Sequence, residues 1–375
     1  MTSNELPQGK RVKSQRHIDY TFAAIVVILL TYGLIMVFSA SSASAHYRMN
    51  DTFYFIKRQF LWAVLGLGAM YGVSKIPYKV YYKLAFPALA ASVVLLLLVL
   101  TPLGIEVGGA RRWLGFSILT FQPSEIAKFT LIIFLAKSLS KNRDILKNFW
   151  GGFVVYLVII GIVAGIVLLE PHMSGAMVMV GVGLIMMFAA GAKLSHYFYI
   201  AGPVALGVAG MIMAAPYRMK RFTTFLDPFS DMLGDGFQVV QSLYAIGSGG
   251  LYGLGLGQSR QKFLYLPEPQ NDFIFSIICE ELGFFGALLV VVLFAALIWK
   301  GIQIALHAPD AFSSFLVTGI TSLIGVQVVL NIAVVTSSMP ATGITLPFFS
   351  YGGTSLFIIL AGMGVILNVT RHIEK

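Results

Sequence analysis

Ten apolar runs, each long enough to cross a membrane as a helix, dominate this chain. A transmembrane helix needs about 20 apolar residues to span a hydrocarbon core of about 30 Å. The 375 residues are 57% hydrophobic and only 11% charged, whereas soluble domains carry about 25% charged residues. The composition therefore excludes a soluble globular protein. We place the runs at residues 20–44, 60–76, 80–101, 123–140, 150–169, 174–191, 196–215, 273–299, 312–335 and 349–369.

The continuity of these runs predicts helices rather than strands. Backbone that faces lipid must satisfy its own hydrogen bonds, which leaves helices and closed barrels, and barrel strands alternate in polarity. We therefore predict an all-α polytopic membrane protein, a bundle of about ten transmembrane helices with one large extracytoplasmic loop. In this plan residues 1–19 form a cytoplasmic N-terminal tail, residues 20–375 form the transmembrane domain, and residues 216–272 within it form the large loop.

The distribution of lysine and arginine predicts the orientation in the membrane. These residues are enriched in short cytoplasmic loops. One side of the predicted bundle carries the larger basic set in short loops, whereas half of the set on the other side falls in the long loop, where the rule has little weight. We therefore expect both termini in the cytoplasm. The net charge of +10 is explained by this asymmetry and by anionic lipid headgroups, so no nucleic-acid partner is expected.

Two local features do not change this plan. The apolar run from Tyr20 to Ala40 is longer than the core of about 7 to 15 residues in a signal peptide, so we expect the first helix to be retained. The single cysteine, Cys279, lies in an apolar run and has no cysteine with which to form an internal disulfide. Neither it nor the histidines show the spacing of a zinc site.

The polar island at residues 216–272 is the first candidate site. Its length predicts that part of it is folded or lies against the membrane, and residues 237–251 have an amphipathic pattern. Asp272 ends the island directly before an apolar run and has two interpretations. It can cap the following helix by accepting hydrogen bonds from first-turn amides. It can also act as a general base on a hydroxyl of a lipid-linked substrate, or hold a divalent cation together with the phosphates of that substrate.

The second candidate site begins with the motif QPSEIAK at residues 122–128. Proline near the start fits the first turn of a helix, and Ser124 is a candidate cap. Glu125 and Lys128 are three residues apart, so they share one helix face and can form an ion pair. Ionisable groups inside a span tend to face a cavity or a partner. The alternative is an ion pair that only fixes helix packing.

Further charged residues flank these two sites. Arg111 and Arg112 precede a predicted outer-facing helix start, where guanidinium groups either bind a pyrophosphate or lie at the membrane interface. Glu280 and Glu281 lie two turns into the helix predicted after Asp272. They either tune the Asp272 carboxyl or bond to a neighbouring helix.

Five motifs, in order along the chain, resemble the SEDS family (shape, elongation, division and sporulation). The resemblance covers nearly all of the chain after residue 18. Residues 255–262, with the sequence GLGQSRQK, are more similar to the division and sporulation branch of the family than to its elongation branch. The motifs are GARRWL at 109–114, QPSEIAK at 122–128, LPEPQNDFIF at 266–275, EELG at 280–283 and LPFFSYGGTS at 346–355.

The resemblance implies a peptidoglycan glycosyltransferase that polymerises lipid II, a lipid-linked disaccharide-peptide, in division or spore cortex synthesis. Members of the family work with a class B penicillin-binding transpeptidase, and division or sporulation proteins are the further partners implied. The family's essential aspartate corresponds to Asp272, and the charged residues of its second motif correspond to Glu125 and Lys128. The family often has an acid where this chain has His172, so His172 stays outside the catalytic set.

The mechanism implied is an inverting transfer with Asp272 as the base and with release of undecaprenyl pyrophosphate. The activated pyrophosphate supplies the energy, so no nucleotide is needed. A divalent cation, Mg²⁺ or Mn²⁺, is the candidate cofactor, and its protein ligands are unknown. Glu268 and Glu280 are candidate supporting residues. The candidate pyrophosphate-binding residues are Arg111, Arg112, Arg221, Arg260 and Lys262.

Two other classes of function fit the same composition. A transporter that flips lipid II between leaflets would place its ionisable site near the midplane, on broken helices related by internal repeats. Glu125, Lys128, Glu170 and Glu280 favour that alternative, whereas Asp272 at the outer surface and the absence of an evident repeat favour an enzyme. A scaffold that only recruits the transpeptidase would tolerate loss of Asp272.

Overall fold

The computed structural model describes residues 18–107, 109–116, 119–214, 216–234 and 236–373. Most of the predicted N-terminal tail, residues 1–17, lies outside the described residues. A π-helical turn, Phe149–Phe153, directly precedes the helix that begins at Val154 and extends it. The elements within the described ranges are α1 (Tyr20–Met49), α2 (Tyr54–Val73), α3 (Lys79–Val99), β1 (Ile105–Val107), β2 (Ala110–Phe116), β3 (Leu119–Phe121), α4 (Pro123–Lys141), α5 (Val154–Leu169), α6 (Met173–Ala189), α7 (Leu194–Met213), α8 (Pro216–Leu226), α9 (Phe237–Gly249), α10 (Ile274–Leu306), α11 (Ala311–Val335) and α12 (Gly353–Thr370).

The predicted helical bundle is confirmed. Each of the ten predicted spans coincides with a helix, and these are α1 to α7 and α10 to α12. In the described part of the chain, six helices are long and apolar enough to cross a membrane: α1, α3, α5 with its π-turn, α10, α11 and α12. Helix α6 is apolar but shorter. Helices α2 and α4 carry charged side chains, such as Lys57 and Glu125, which lower their hydropathy.

Helix α11 lies at the centre of the bundle and packs against α4, α6 and α10, while α12 packs against α2. Small residues allow the closest approaches. A Cβ atom at Gly364 of α12 would lie 2.5 Å from the Met70 carbonyl oxygen of α2. The backbones of α2 and α12 are therefore in close contact at this point, because Gly364 has no side chain.

A small antiparallel sheet between α3 and α4 was not predicted. Its strand order is β1-β2-β3, and Glu106 of β1 is the register partner of Arg111 on β2. Gly109, with a φ of 77°, lies in the left-handed region that the turn before β2 requires. Arg111 and Arg112 precede a helix as predicted, but both lie on β2, and the helix starts only at Pro123.

The large loop is partly helical, as its length indicated. Helix α8 follows α7, and α9 coincides with the predicted amphipathic stretch and packs against α10. Helix α10 is interrupted at Gly283, where φ is 65° and ψ is −163°. Asp272 lies on the N-terminal side of this break, just before the first turn of α10.

Candidate functional site

Asp272 lies between the large loop and the first turn of α10, but it does not cap that helix. The N-cap residue is Phe273, and no side chain makes the capping hydrogen bond. The buried Asn331 of α11 instead donates from Nδ2 to the Asp272 carbonyl oxygen at 2.8 Å and to the Ile344 carbonyl oxygen at 2.6 Å. These contacts fix the backbone of Asp272 and leave its carboxyl group available for chemistry.

The surroundings of Asp272 favour a carboxyl group that titrates near neutral pH. Burial, with a smaller contribution from Glu268, raises the pKa of Asp272 to about 6, and Arg221 opposes this shift. A general base works best when its pKa lies near the working pH. Gly343, with a φ of 70°, passes close to the carboxyl group, since a Cβ atom there would lie 3.7 Å from Asp272 Oδ2.

Glu268 and Arg221 are the predicted residues that act directly on Asp272. Glu268 accepts a hydrogen bond from Asn271 Nδ2 at 2.7 Å and lies 3.7 Å from Arg48 Nη1. Arg221 Nη1 donates to the Ala341 carbonyl oxygen at 2.9 Å, which connects α8 to the segment before α12. The polar loop thus places one acid and one guanidinium group within electrostatic reach of the candidate base.

The other basic residues of the loop have different positions. The Arg260 side chain is exposed, and its backbone amide donates to Glu280 Oε1 at 2.9 Å. Lys262 is 3% exposed and forms an ion pair of 3.0 Å with Glu281. Lys262 is therefore held inside the protein, in a position unlike that expected of a surface pyrophosphate clamp.

The prediction that Glu125 and Lys128 pair is realised in the structure. Lys128 Nζ lies 2.8 Å from Glu125 Oε1, and both side chains are buried. Ser355 at the start of α12 donates to Glu125 Oε2 at 3.3 Å. Ser124 does not cap α4, because the N-cap residue is Gln122. The pair lies in the first two turns of α4, which begins at Pro123 shortly after β3 ends at Phe121.

The turn between α5 and α6 places His172 beside that pair. His172 Nδ1 lies 3.2 Å from both Ser124 Oγ and Gln122 Nε2. Burial, together with Lys128 and Arg112, lowers the pKa of His172 to about 3, so the imidazole is neutral at physiological pH. His172 thus adds a neutral hydrogen-bonding group, and no charge, beside Lys128.

Arg112 and Arg111 point to different partners, as neighbours on a strand do. Arg112 Nε donates to the Glu170 carbonyl oxygen at 3.3 Å, and its Nη2 donates to the Pro171 carbonyl oxygen. Arg111 Nε lies 3.6 Å from Glu106 in a half-exposed ion pair. Burial raises the pKa of Glu170 to about 8, against the influence of Arg112. This carboxyl group is thus mostly protonated at neutral pH.

The sequence did not identify the hydrogen-bond partners of Glu281. This residue is fully buried and bonds to Lys262, Ser39 and the Ser259 amide. Glu280 beside it accepts from the Ser259 hydroxyl. The only signal was a pair of adjacent acids in an apolar run, which did not identify their partners.

The described residues hold no cluster of three or more histidine, cysteine, aspartate or glutamate side chains suited to a metal ion. Near Asp272 the acidic groups are its own carboxylate and that of Glu268. A cation such as Mg²⁺ takes several oxygen ligands and often shares carboxylates with substrate phosphates. The residues fit such a cation only if the substrate supplies most of its ligands.

The fold and the site together define a polytopic integral membrane protein with a half-buried carboxyl group, Asp272, at one end of its helical bundle. A family model for FtsW, RodA and SpoVE, described as "Cell cycle protein", matches residues 20–375. The chain belongs to this family, and the resemblance seen in its motifs is confirmed.

The relatives carry sporulation and division names. Stage V sporulation protein E of Bacillus subtilis (strain 168) is 48% identical, over 94% of this chain and 97% of its own length. The probable peptidoglycan glycosyltransferase FtsW of Geobacter sp. (strain M18) is 43% identical, over 95% of this chain and 97% of its own length.

Solved structures share the fold. One, described as "Structural coordination of polymerization and crosslinking by a peptidoglycan synthase complex", matches with a TM-score of 0.80 and 32% identity, over 95% of this chain and 98% of that one. Thermus thermophilus rod shape determining protein RodA matches with a TM-score of 0.70 and 28% identity, over 96% of this chain and 98% of that one.

Proposed function

We propose that this protein is a peptidoglycan glycosyltransferase that polymerises lipid II at the outer face of the cytoplasmic membrane, for division or spore cortex synthesis. Its relatives include a probable enzyme of that activity. The observation that carries the proposal is Asp272, a half-buried carboxyl group with a pKa of about 6 at the end of the membrane helix α10. A base of this strength can accept a proton from a hydroxyl as that hydroxyl attacks.

The reaction transfers a glycan chain between two lipid carriers. The 4-hydroxyl of the acceptor lipid II attacks the anomeric carbon of the donor chain, and the bond to undecaprenyl pyrophosphate breaks with inversion. Asp272 takes the hydroxyl proton, and the pyrophosphate leaves with the electron pair of the broken bond. An inverting transfer needs no covalent enzyme intermediate.

Basic side chains stabilise the charge on the leaving pyrophosphate. Arg221 is the first candidate because its charge already acts on Asp272. Arg111, Arg112 and Arg260 remain candidates, and the buried position of Lys262 favours a different role for it. We also propose Mg²⁺ or Mn²⁺ as a cofactor, which the pyrophosphate oxygens of the substrate would mainly hold, so that the Asp272 carboxylate remains the base. Such a cation would supply further positive charge at the leaving group.

We propose an orientation with both termini in the cytoplasm and residues 216–272 outside, on the basis of the basic residues in the short loops. We propose a class B penicillin-binding transpeptidase as the partner, with division or sporulation proteins around it. A solved structure with the same fold belongs to a complex that coordinates polymerization and crosslinking, which supports such a partner.

The test is polymerisation of labelled lipid II by the purified protein with its cognate transpeptidase. We expect a ladder of glycan strands from the wild type and none from Asp272→Asn. The matched control is Asp51→Asn, which makes the same change in an exposed ion pair with Lys57 and should keep the ladder. A ladder from Asp272→Asn would refute the assigned base. Movement of lipid II between leaflets without a ladder would support a transporter instead.

A further inference from the structure

The short first part of α10 is the element that carries Asp272. Helix α10 is interrupted at Gly283, so residues 274–282 form a separate piece of about two turns. Asp272 lies directly before this piece. The position of its carboxyl group therefore depends on the contacts that hold the piece in place.

The loop at residues 250–255 binds the backbone of the broken helix. The Leu254 amide donates to the Glu280 carbonyl oxygen at 2.9 Å, and the Gly255 amide donates to the Glu281 carbonyl oxygen at 2.9 Å. Beyond the break, the Phe284 amide donates to the Gly250 carbonyl oxygen at 2.9 Å. A helix break within a membrane protein needs such partners, because lipid offers none.

Glycine residues make this backbone contact possible. A Cβ atom at Gly253 would lie 2.2 Å from the Glu281 carbonyl oxygen, and one at Gly283 would lie 2.3 Å from the Gly253 nitrogen. Both glycines also have positive φ angles, 77° at Gly253 and 65° at Gly283. The loop and the short helix are therefore packed at backbone distance.

Side chains of the short helix bind the same loop further along. Glu281 Oε1 lies 3.0 Å from Lys262 Nζ, and Ser39 of α1 donates to Glu281 at 2.7 and 2.6 Å. Lys262 Nζ also donates to the Gly257 carbonyl oxygen at 2.6 Å. Three separate parts of the chain, α1, the loop and α10, thus meet at one fully buried carboxylate.

Glu280, the preceding residue, also points into the loop. Its carboxylate accepts hydrogen bonds from the Ser259 hydroxyl at 2.5 Å, the Arg260 amide at 2.9 Å and the Gln261 amide at 3.4 Å. The side chains of both acids are used within the protein. Their arrangement is that of an anchor for the loop rather than a surface for substrate.

We infer that the buried ion pair between Lys262 and Glu281 positions Asp272 for catalysis by fixing the short helix against the loop and α1. A buried charge that loses its partner is strongly unfavourable, whereas loss of both charges is tolerated far better. Removing either charge alone should therefore displace the short helix. Removing both should largely restore its position. The kinetic part of this inference rests on the proposed function, and its structural part does not.

The native Cys279 offers a direct measurement of the short helix. It is the only cysteine in the sequence, it lies within residues 274–282, and it is buried. We expect slow maleimide labelling in the wild-type protein and labelling at least tenfold faster in Lys262→Met and in Glu281→Gln. The double variant should return to within about threefold of wild type. Lys147→Met, which removes an exposed ion pair with Asp144, is the matched control and should not change the rate.

The kinetic measurement uses lipid II polymerisation by the same variants. We expect each single substitution to lower kcat at least tenfold with KM within twofold of wild type, and the double variant to regain most of kcat. If Lys262→Met instead raised KM and the double variant did not recover, Lys262 would be a substrate-binding residue and the inference would fail. If labelling followed the expected pattern while wild type made no polymer, the positioning role would stand and the proposed function would fall.

Discussion

Two buried lysine–glutamate pairs in this molecule have opposite surroundings. Glu125 and Lys128 lie three residues apart on one helix, and Ser355 is the further hydrogen-bond donor to that carboxylate. Glu281 and Lys262 lie on different elements, and their remaining hydrogen-bonding groups are occupied by Ser39, Ser259 and Gly257. A pair saturated by the protein serves structure, while a pair with free capacity can serve a ligand.

The largest expected effect comes from breaking the saturated pair. Lys262→Met should lower the free energy of unfolding by about 3–5 kcal/mol, because it leaves the fully buried Glu281 charged and without a cationic partner. The measurement is unfolding of the purified protein in mixed micelles with increasing SDS. The comparison would break if Lys262→Met proved no less stable than the control Lys147→Met.

Breaking the local pair should have a smaller effect on stability and a larger one on substrate. Lys128→Met should lower the free energy of unfolding by about 1–3 kcal/mol, since Glu125 keeps its bond to Ser355. Its KM for lipid II should rise, and the double variant Glu125→Gln/Lys128→Met should not recover. Recovery by the double variant would mean that both pairs are structural.

The smallest expected effect is a shift in the pH dependence of kcat/KM. It distinguishes residues that act on Asp272 through their charge from residues that act by positioning it. With the pKa of Asp272 near 6, kcat/KM should fall as the pH drops below about 6, because the base becomes protonated. Glu268→Gln removes a negative charge that raises this pKa, so the fall in kcat/KM should move to lower pH. Arg221→Met removes a positive charge that lowers the pKa, so the fall should move to higher pH. Glu281→Gln/Lys262→Met should not move it, and a shift there would show that the pair acts through charge.

The stability effect of the Asp272 carboxyl group should have the opposite pH dependence to activity. Its pKa in the folded protein, about 6, is higher than the ordinary value of 3.8, so the folded state binds the proton more tightly. Its contribution therefore favours folding at low pH and is lost as the pH rises through about 6. Asp272→Asn should remove this dependence in SDS unfolding measured from pH 4 to 7.

The same contrast explains what the sequence could predict. The helices followed from long apolar runs, and the Glu125–Lys128 pair followed from a three-residue spacing on one helix face. The Lys262–Glu281 pair joins residues 19 positions apart across a glycine-rich loop, and no local spacing encodes such a contact. Asp272 was recognised from its motif, but only the structure showed that it does not cap α10.

The small sheet was missed for a similar reason. Its strands are only three to seven residues long, and short strands lack the periodicity that identifies longer ones. Because neighbouring residues on a strand point to opposite faces, Arg111 and Arg112 on β2 have different partners. The turn that contains Glu170 and His172 lies beside Lys128 because α5 and α6 pack against α4. A single sequence does not show which helices pack together.

The interruption of α10 at Gly283 also has a consequence for depth in the bilayer. A straight helix of 33 residues would rise about 50 Å, well beyond a hydrocarbon core of about 30 Å. Residues 284–306 alone rise about 35 Å, which matches that core and leaves the first two turns free to lie at headgroup level. The length of the membrane-spanning part therefore sets the depth of the Asp272 carboxyl group relative to the bilayer. A thicker or thinner bilayer would move that group relative to the phosphates of the lipid carriers, so we expect turnover by the proposed transferase to depend on bilayer thickness.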